Sequence, residues 1–382
     1  MIETLPATPP TWRLRLWTAI AWLPQWAVVL LAIILLLAAT AWGLLSPIIR
    51  ERQAILRLNS YPGVRVIGGQ SKPGFVFCSM SGPPSPPPLW DQAIAQLTGD
   101  GTWLPDPISV SLGERTPTQA LRHLADLRLI RFITLRGAQW TDKELVELTT
   151  SYRFEHLYLI RASITPAGWR ALERSPLLGL QVGNQSVGPE FFSSVRTMPC
   201  LEMLGLHGCP IADSDLKSLD GHPTLNSLSL YETRVTSDCI ETLATLPELT
   251  ELGMIDTEID DGFLKELGRL GKLKGLSVSG TKITDAGLSA IPATVHLFHL
   301  NVERTAISEA GLLSLRNVPT DLGFQGTNVR LTEPLKRWLL SHPFDTVYLD
   351  ESMLHPASAT AKELSEHIGY LHIEPAASPI GE

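Results

Sequence analysis

The sequence predicts an α/β solenoid, a stack of similar coils each made of one strand, one turn and one helix, preceded by a transmembrane helix. Three observations carry this. A period close to 24 residues runs between Ile130 and Leu349, with Leu204, Leu228, Leu252, Leu276 and Leu300 each one period apart. Each period opens on Leu-x-Leu/Met/Val, an alternation that buries one side of a strand, and continues into apolar pairs spaced i, i+3, one face of a helix. Upstream, residues 27–45 carry no charge. A fixed period of this length marks units that bury their apolar faces only against neighbours, so one continuous core runs the length of the stack. The expected form is a right-handed horseshoe with parallel strands on the concave side and helices on the convex side.

The elements follow in order. Residues 1–26 read as an N-terminal tail. Residues 27–45 form a stretch of roughly 28 Å as a helix, long enough to cross a bilayer core; Trp22, Trp26 and Trp42 bracket it as interfacial anchors. Ala39-Thr40-Ala41 also imitates a signal-peptidase site, which would leave a secreted domain. Arg13 and Arg15 precede the span and Arg50, Arg52, Arg57 and Arg65 follow it. The positive-inside rule therefore leans towards a cytoplasmic repeat domain, whereas an N-terminal signal anchor would place it outside.

Residues 46–82 are expected to hold a helix leaving the membrane (Arg50 to Asn59), stopped by Tyr61-Pro62-Gly63, then a hairpin of Val64–Ile67 with Phe75–Cys78. Residues 83–107 read as a proline-rich linker and a short helix over Leu89 to Leu97. The repeat domain spans 108–350, its first strand at Ile108 to Leu112 in step with the later ones. Residues 351–382 supply a capping helix (Ala359 to Ile368) and a loose tail from Leu371.

Within the repeats, Thr141, Thr165, Thr236, Asp260, Thr284 and Ser308 occupy a helix-capping column. Asp142, Asp213, Asp261, Asp285 and Glu309 follow, placing negative charge at helix N-termini. Their periodic placement marks them as architecture rather than calcium ligands. Cys209 stands in the column that elsewhere holds Thr233, Thr257 and Thr281, a position for a small buried side chain. The phrase Thr281-Lys-Ile283-Thr284-Asp285-Ala-Gly287-Leu288, echoed from Thr305 to Leu312, resembles the cysteine-containing type of leucine-rich repeat. With the N-terminal helix and Arg50-Glu-Arg-Gln-Ala54, the chain resembles bacterial membrane-anchored repeat proteins of the planctomycete kind. That resemblance implies a fold and an inner-membrane location, and says almost nothing of function. Eukaryotic proteins with this repeat often act as ubiquitin-ligase adaptors, but no F-box-like module precedes the repeats here.

A net charge of −8 and the lack of any lysine-arginine run argue against a nucleic-acid surface. The four cysteines form no C-x-x-C pair, so neither a disulfide framework nor a zinc site is indicated. His296-x-x-His299 lacks a third ligand, and Gly275 to Lys282 mimics a phosphate loop without its Gly-Lys-Ser/Thr ending. No cofactor, metal or catalytic set is expected. Asn184-Gln-Ser186 fits a glycosylation sequon, relevant only to an exported eukaryotic chain.

What remains is the concave face. Its candidate contact residues are Arg136, Tyr158, His207, Tyr231, Glu232, Ile255, Asp256, Asn301 and Glu303. At its centre, small residues surround a His207-Tyr231-Ile255 diagonal, with Glu232 and Asp256 beside it to favour a basic partner. The expected function is non-catalytic binding of another protein, as scaffold or receptor, by a single-pass protein held in the bilayer through 27–45. Recognition of an envelope glycan or lipid by the same face is the alternative.

Overall fold

The computed structural model describes residues 25–67, 108–127, 130–354 and 357–374. The tail before residue 25, the linker and short helix of 83–107, and the Phe75–Cys78 run lie outside them. The described strands form one sheet of 13 in chain order: β1 (Val64–Ile67), β2 (Ile108–Leu112), β3 (Ile130–Arg136), β4 (His156–Ile160), β5 (Gly179–Gly183), β6 (Met203–His207), β7 (Ser227–Tyr231), β8 (Glu251–Gly253), β9 (Gly275–Ser277), β10 (His299–Asn301), β11 (Asp321–Gly323), β12 (Thr346–Asp350) and β13 (Tyr370–Glu374). All neighbours from β2 onward are parallel. A short helical segment follows most strands, so the chain is a leucine-rich repeat solenoid by its own geometry.

The register explains the period. Leu204, Leu228, Leu252, Leu276 and Leu300 lie directly opposite one another, and none is more than 2% exposed. Each such side chain contributes roughly 1.5–3 kcal/mol by leaving water. The second strand leucine, the Ile/Val column after the turn and the helix pairs fill the same core. In the Ile/Val column the first coil substitutes Trp140, fully buried, with its indole N–H donating to the Arg136 carbonyl at 3.1 Å.

Strands β4 to β11 each end in a sharp turn built the same way. Arg161, Asn184, Gly208, Glu232, Asp256, Gly280, Arg304 and Gly326 each adopt left-handed φ between 51° and 67°. The turn still extends the sheet, because its N–H reaches the next coil's carbonyl, as from Glu232 to Ile255 (3.0 Å) and from Asp256 to Ser279 (2.9 Å). Behind it, Thr257, Thr281, Thr305 and Thr327 donate their hydroxyls to the carbonyl three residues back, at 2.5–2.8 Å. Cys209 makes the longer thiol version to Val182 and His207.

The acidic column does more than face its own helix N-terminus. Asp261 accepts from both the N–H (2.8 Å) and the hydroxyl (2.6 Å) of Thr284, the cap of the next coil. Asp142–Thr165, Asp213–Thr236 and Asp285–Ser308 repeat this two-point clamp. The capping residue meanwhile accepts from its own helix, as Thr284 does from Ala286 at 3.2 Å. The glycine of the Thr-Asp-x-Gly-Leu phrase also has its reason: a Cβ on Gly287 would lie 2.3 Å from the clamped oxygen of Asp261. Asp261→Ala is expected to cost about 1–3 kcal/mol, the penalty for stranding two partly buried donors. Urea midpoints of wild type and variant measure it, and an unchanged midpoint would remove the clamp from the account.

Both ends depart from expectation. Val64–Ile67 is a strand whose described partner is Ile108–Leu112, antiparallel; the Phe75–Cys78 run expected beside it lies outside the described residues. The helix Gln25–Asn59 is continuous, and its last turns bury Ala54 and Leu58 against the 3-10 helix Thr118–Asp126. It thereby covers the N-terminal edge of the core. At the other end the helix Ala357–His367 buries Leu364 and leads into β13, not into a loose tail. Alternation of Leu371 and Ile373 with Tyr370, His372 and Glu374 suits the open edge of β12. Among the described residues no helix is long and apolar enough to cross a membrane, so the span expected over 27–45 is not shown.

Candidate functional site

The side chains that alternate with the buried leucines form three rows across the outer strand face. The middle row is nearly bare at its centre, running Gly205, Ser229, Gly253, Ser277. His207 leans over this gap. Its Nε2 lies 3.1 Å from Ser229 Oγ, and a Cβ on Gly205 would approach that nitrogen to 3.1 Å. Ser229 is itself buried, so the contact orients the imidazole rather than presenting a nucleophile. Tyr231 stands edge-on to His207, ring centroids 6.0 Å apart.

Charge gathers on the turn column beside this pair. Asp256 and Arg304, two coils apart, form a bidentate ion pair with both N···O distances 3.0 Å. It passes directly over Gly280, where a Cβ would sit 1.9 Å from an Asp256 oxygen. Sequence reasoning missed Arg304, though an acid, a glycine and a base at 24-residue spacing was a readable signal. The pairing also corrects the reading of Asp256 as free attraction for a basic partner, because its charge is met within the chain. Glu232 is left as the exposed carboxylate. Burial first, then the bond to Glu232 and its charge, hold the Tyr231 phenol above its usual pKa. Burial lowers that of His207 while Glu232 opposes. The imidazole is therefore neutral at pH 7, and the patch presents an aromatic pair beside one negative charge.

The other expected contacts fall elsewhere. Ile255 is half-buried beside Tyr231. Tyr158 is only 6% exposed and packs near Phe132 (6.5 Å), which stacks on His156 at 4.5 Å. Arg136 is exposed at the end of β3. Asn301 and Glu303 make a local polar knot: Asn301 Oδ1 accepts from Ser279 Oγ (2.8 Å) and from the Glu303 N–H (2.9 Å). Burial raises the Glu303 carboxyl above the usual range, and Glu374 and Asp350 add to this. The structure thus unites His207, Tyr231, Glu232, Ile255 and Asp256 around Arg304, and leaves Arg136, Tyr158, Asn301 and Glu303 outside that group. His296 is exposed and His299 buried, on different sides of the chain.

No protein-family model matches the chain, and no curated protein is similar to it. Among solved structures, it is similar to an internalin from Listeria monocytogenes at 18% identity, over 74% of this chain and 88% of that one, with TM-score 0.41. It is also similar to TLR13, solved in complex with ssRNA13, at 16% identity over 63% of this chain and 40% of the other, with TM-score 0.39. The chain thus spans less than half of the TLR13 chain. Superposition this loose carries no information about partners, and the fold rests on the repeat geometry above.

Proposed function

We propose that this chain is a single-pass membrane protein whose strand face binds another protein without turning it over. The observation that carries the reading is the His207–Tyr231–Glu232 patch. It joins two aromatic rings to an exposed carboxylate, and its Glu232, Asp256 and Arg304 side chains occupy left-handed positions that glycine fills at Gly208, Gly280 and Gly326. Rigid aromatic side chains are favoured at binding hot spots, and Glu232 selects a lysine or arginine beside an apolar group.

Charge and exposure support the membrane anchor, although no helix among the described residues is long and apolar enough to cross a membrane. The 19 residues of 27–45 contain no charge and sit within the one helix Gln25–Asn59, and Leu30, Ile33, Ile34 and Leu36 expose 48–66% of their surface. The four arginines after residue 45, against Arg13 and Arg15 before residue 27, favour a cytoplasmic repeat domain at a bacterial inner membrane under the positive-inside rule.

A photo-crosslinking residue replacing Tyr231, in cells expressing the full chain, tests the function. A discrete protein adduct is expected at Tyr231, absent when the crosslinker replaces Lys265 on the helix side, and reduced about tenfold by Glu232→Lys. Equal labelling from both positions would sink the chosen surface, and an adduct that is glycan or lipid would favour that other ligand class.

A further inference from the structure

Away from the strand face, the chain holds a cavity of about 530 Å³ at its N-terminal cap, lined by Arg57, Ser60, Tyr61, Arg122 and His123. We propose that this cavity binds a phosphate group, as a phosphate ester or a lipid headgroup, between the guanidinium groups of Arg57 and Arg122. It is formed where the helix Gln25–Asn59 ends and meets the 3-10 helix Thr118–Asp126, two elements far apart in sequence that each supply one arginine.

Among the described residues no carboxylate forms an ion pair with Arg57 or Arg122. Arg122 Nε points to His123 Nε2 at 3.4 Å, and the Tyr61 hydroxyl lies 3.4 Å from the same nitrogen. That nitrogen therefore serves as an acceptor, which keeps the imidazole neutral. Burial lowers the His123 pKa most, followed by the charges of Arg122 and Arg57, with Asp126 acting in the opposite sense. A site with two cations, a neutral imidazole and a phenol lacks only a multivalent anion. Guanidinium is the group that meets phosphate oxygens bidentately. The volume exceeds what a bare phosphate fills and falls within the range of small-molecule sites, leaving room for the group esterified to it. Arg57 also complements the negative end of its helix, but that role does not call for Arg122.

This inference stands apart from the strand face and fails separately from it. The full chain in detergent is titrated with inorganic phosphate at low ionic strength, read by calorimetry and by the NMR titration of His123. Saturable binding is expected, with the His123 pKa moving up as phosphate fills the cavity and affinity falling about tenfold or more in Arg57→Gln and Arg122→Gln. No saturable binding, or wild-type affinity in both variants, would overturn it. Should Arg122→Gln not fold, Arg57→Gln and Tyr61→Phe carry the comparison. Repeating the titration in phosphatidylglycerol nanodiscs separates the sources. Loss of phosphate binding there identifies a lipid headgroup as occupant, and undiminished binding identifies a soluble phosphate ester.

Discussion

Lowering the pH from 6.5 to 4 is expected to destabilise the repeat stack by several kcal/mol, through two histidines on the strand face. His156 and His299 are 4% and 8% exposed. Burial holds the pKa of each down to about 4, with Glu155 raising and Arg131 lowering that of His156. The Nδ1 atoms of both lack a hydrogen-bond partner among the described residues. His156 is covered by Phe132 and packs on Gly179, where a Cβ would come within 2.2 Å of Nδ1.

The unfolded chain binds these protons near pH 6.5 and the folded chain only near pH 4, so stability is full above 6.5 and falls across that interval. For each histidine the difference corresponds to about 3 kcal/mol. Glu251, Glu303 and Asp321 act in the opposite direction. Burial raises their carboxyl pKa values, so they take up protons more readily folded than unfolded and offset part of the loss in acid. Urea unfolding at pH 7.5, 6.5, 5.5 and 4.5 measures the slope. His299→Gln and His156→Gln should each flatten it, and curves parallel to wild type would refute the assignment.

Trp140→Ala should be the most damaging single truncation in the first coils, at about 3–5 kcal/mol. The indole fills the Ile/Val column where the first full repeat meets the N-terminal cap, and it is fully buried. Alanine leaves a cavity in the core, and the backbone there is pinned: Ser163 donates to the Trp140 carbonyl at 2.8 Å, and Thr141 bridges to Ser163. Those groups cannot close inward without breaking the coil-to-coil ladder. Because coupling in a solenoid runs between neighbours, the loss should appear first as fraying of β1 to β4. Hydrogen exchange should show faster exchange there than over β8 to β10. A loss below about 1 kcal/mol, or uniform loosening along the whole stack, would contradict this.

Much of this molecule is legible in its sequence. The 24-residue spacing gave the strand leucines, the capping Thr and Asp columns and the first strand at Ile108, because a stack of parallel coils puts residue n against residue n+24. The His207-Tyr231 pair was legible for the same reason: adjacent coils bring one column together. Arg304 left a fainter signal, an acid, a glycine and a base at 24-residue spacing, because its partner Asp256 lies two coils away and is reached only where Gly280 leaves the path clear.

The period, the inward and outward faces and the capping chemistry are all written in the order of residues. All of these follow from local alternation and from neighbour-to-neighbour burial. The tertiary structure decided what closes the two ends, which charge on the face remains unmatched, and that Arg57 meets Arg122 across a cavity. Those outcomes depend on where the chain reverses and how far particular side chains reach, and neither is periodic.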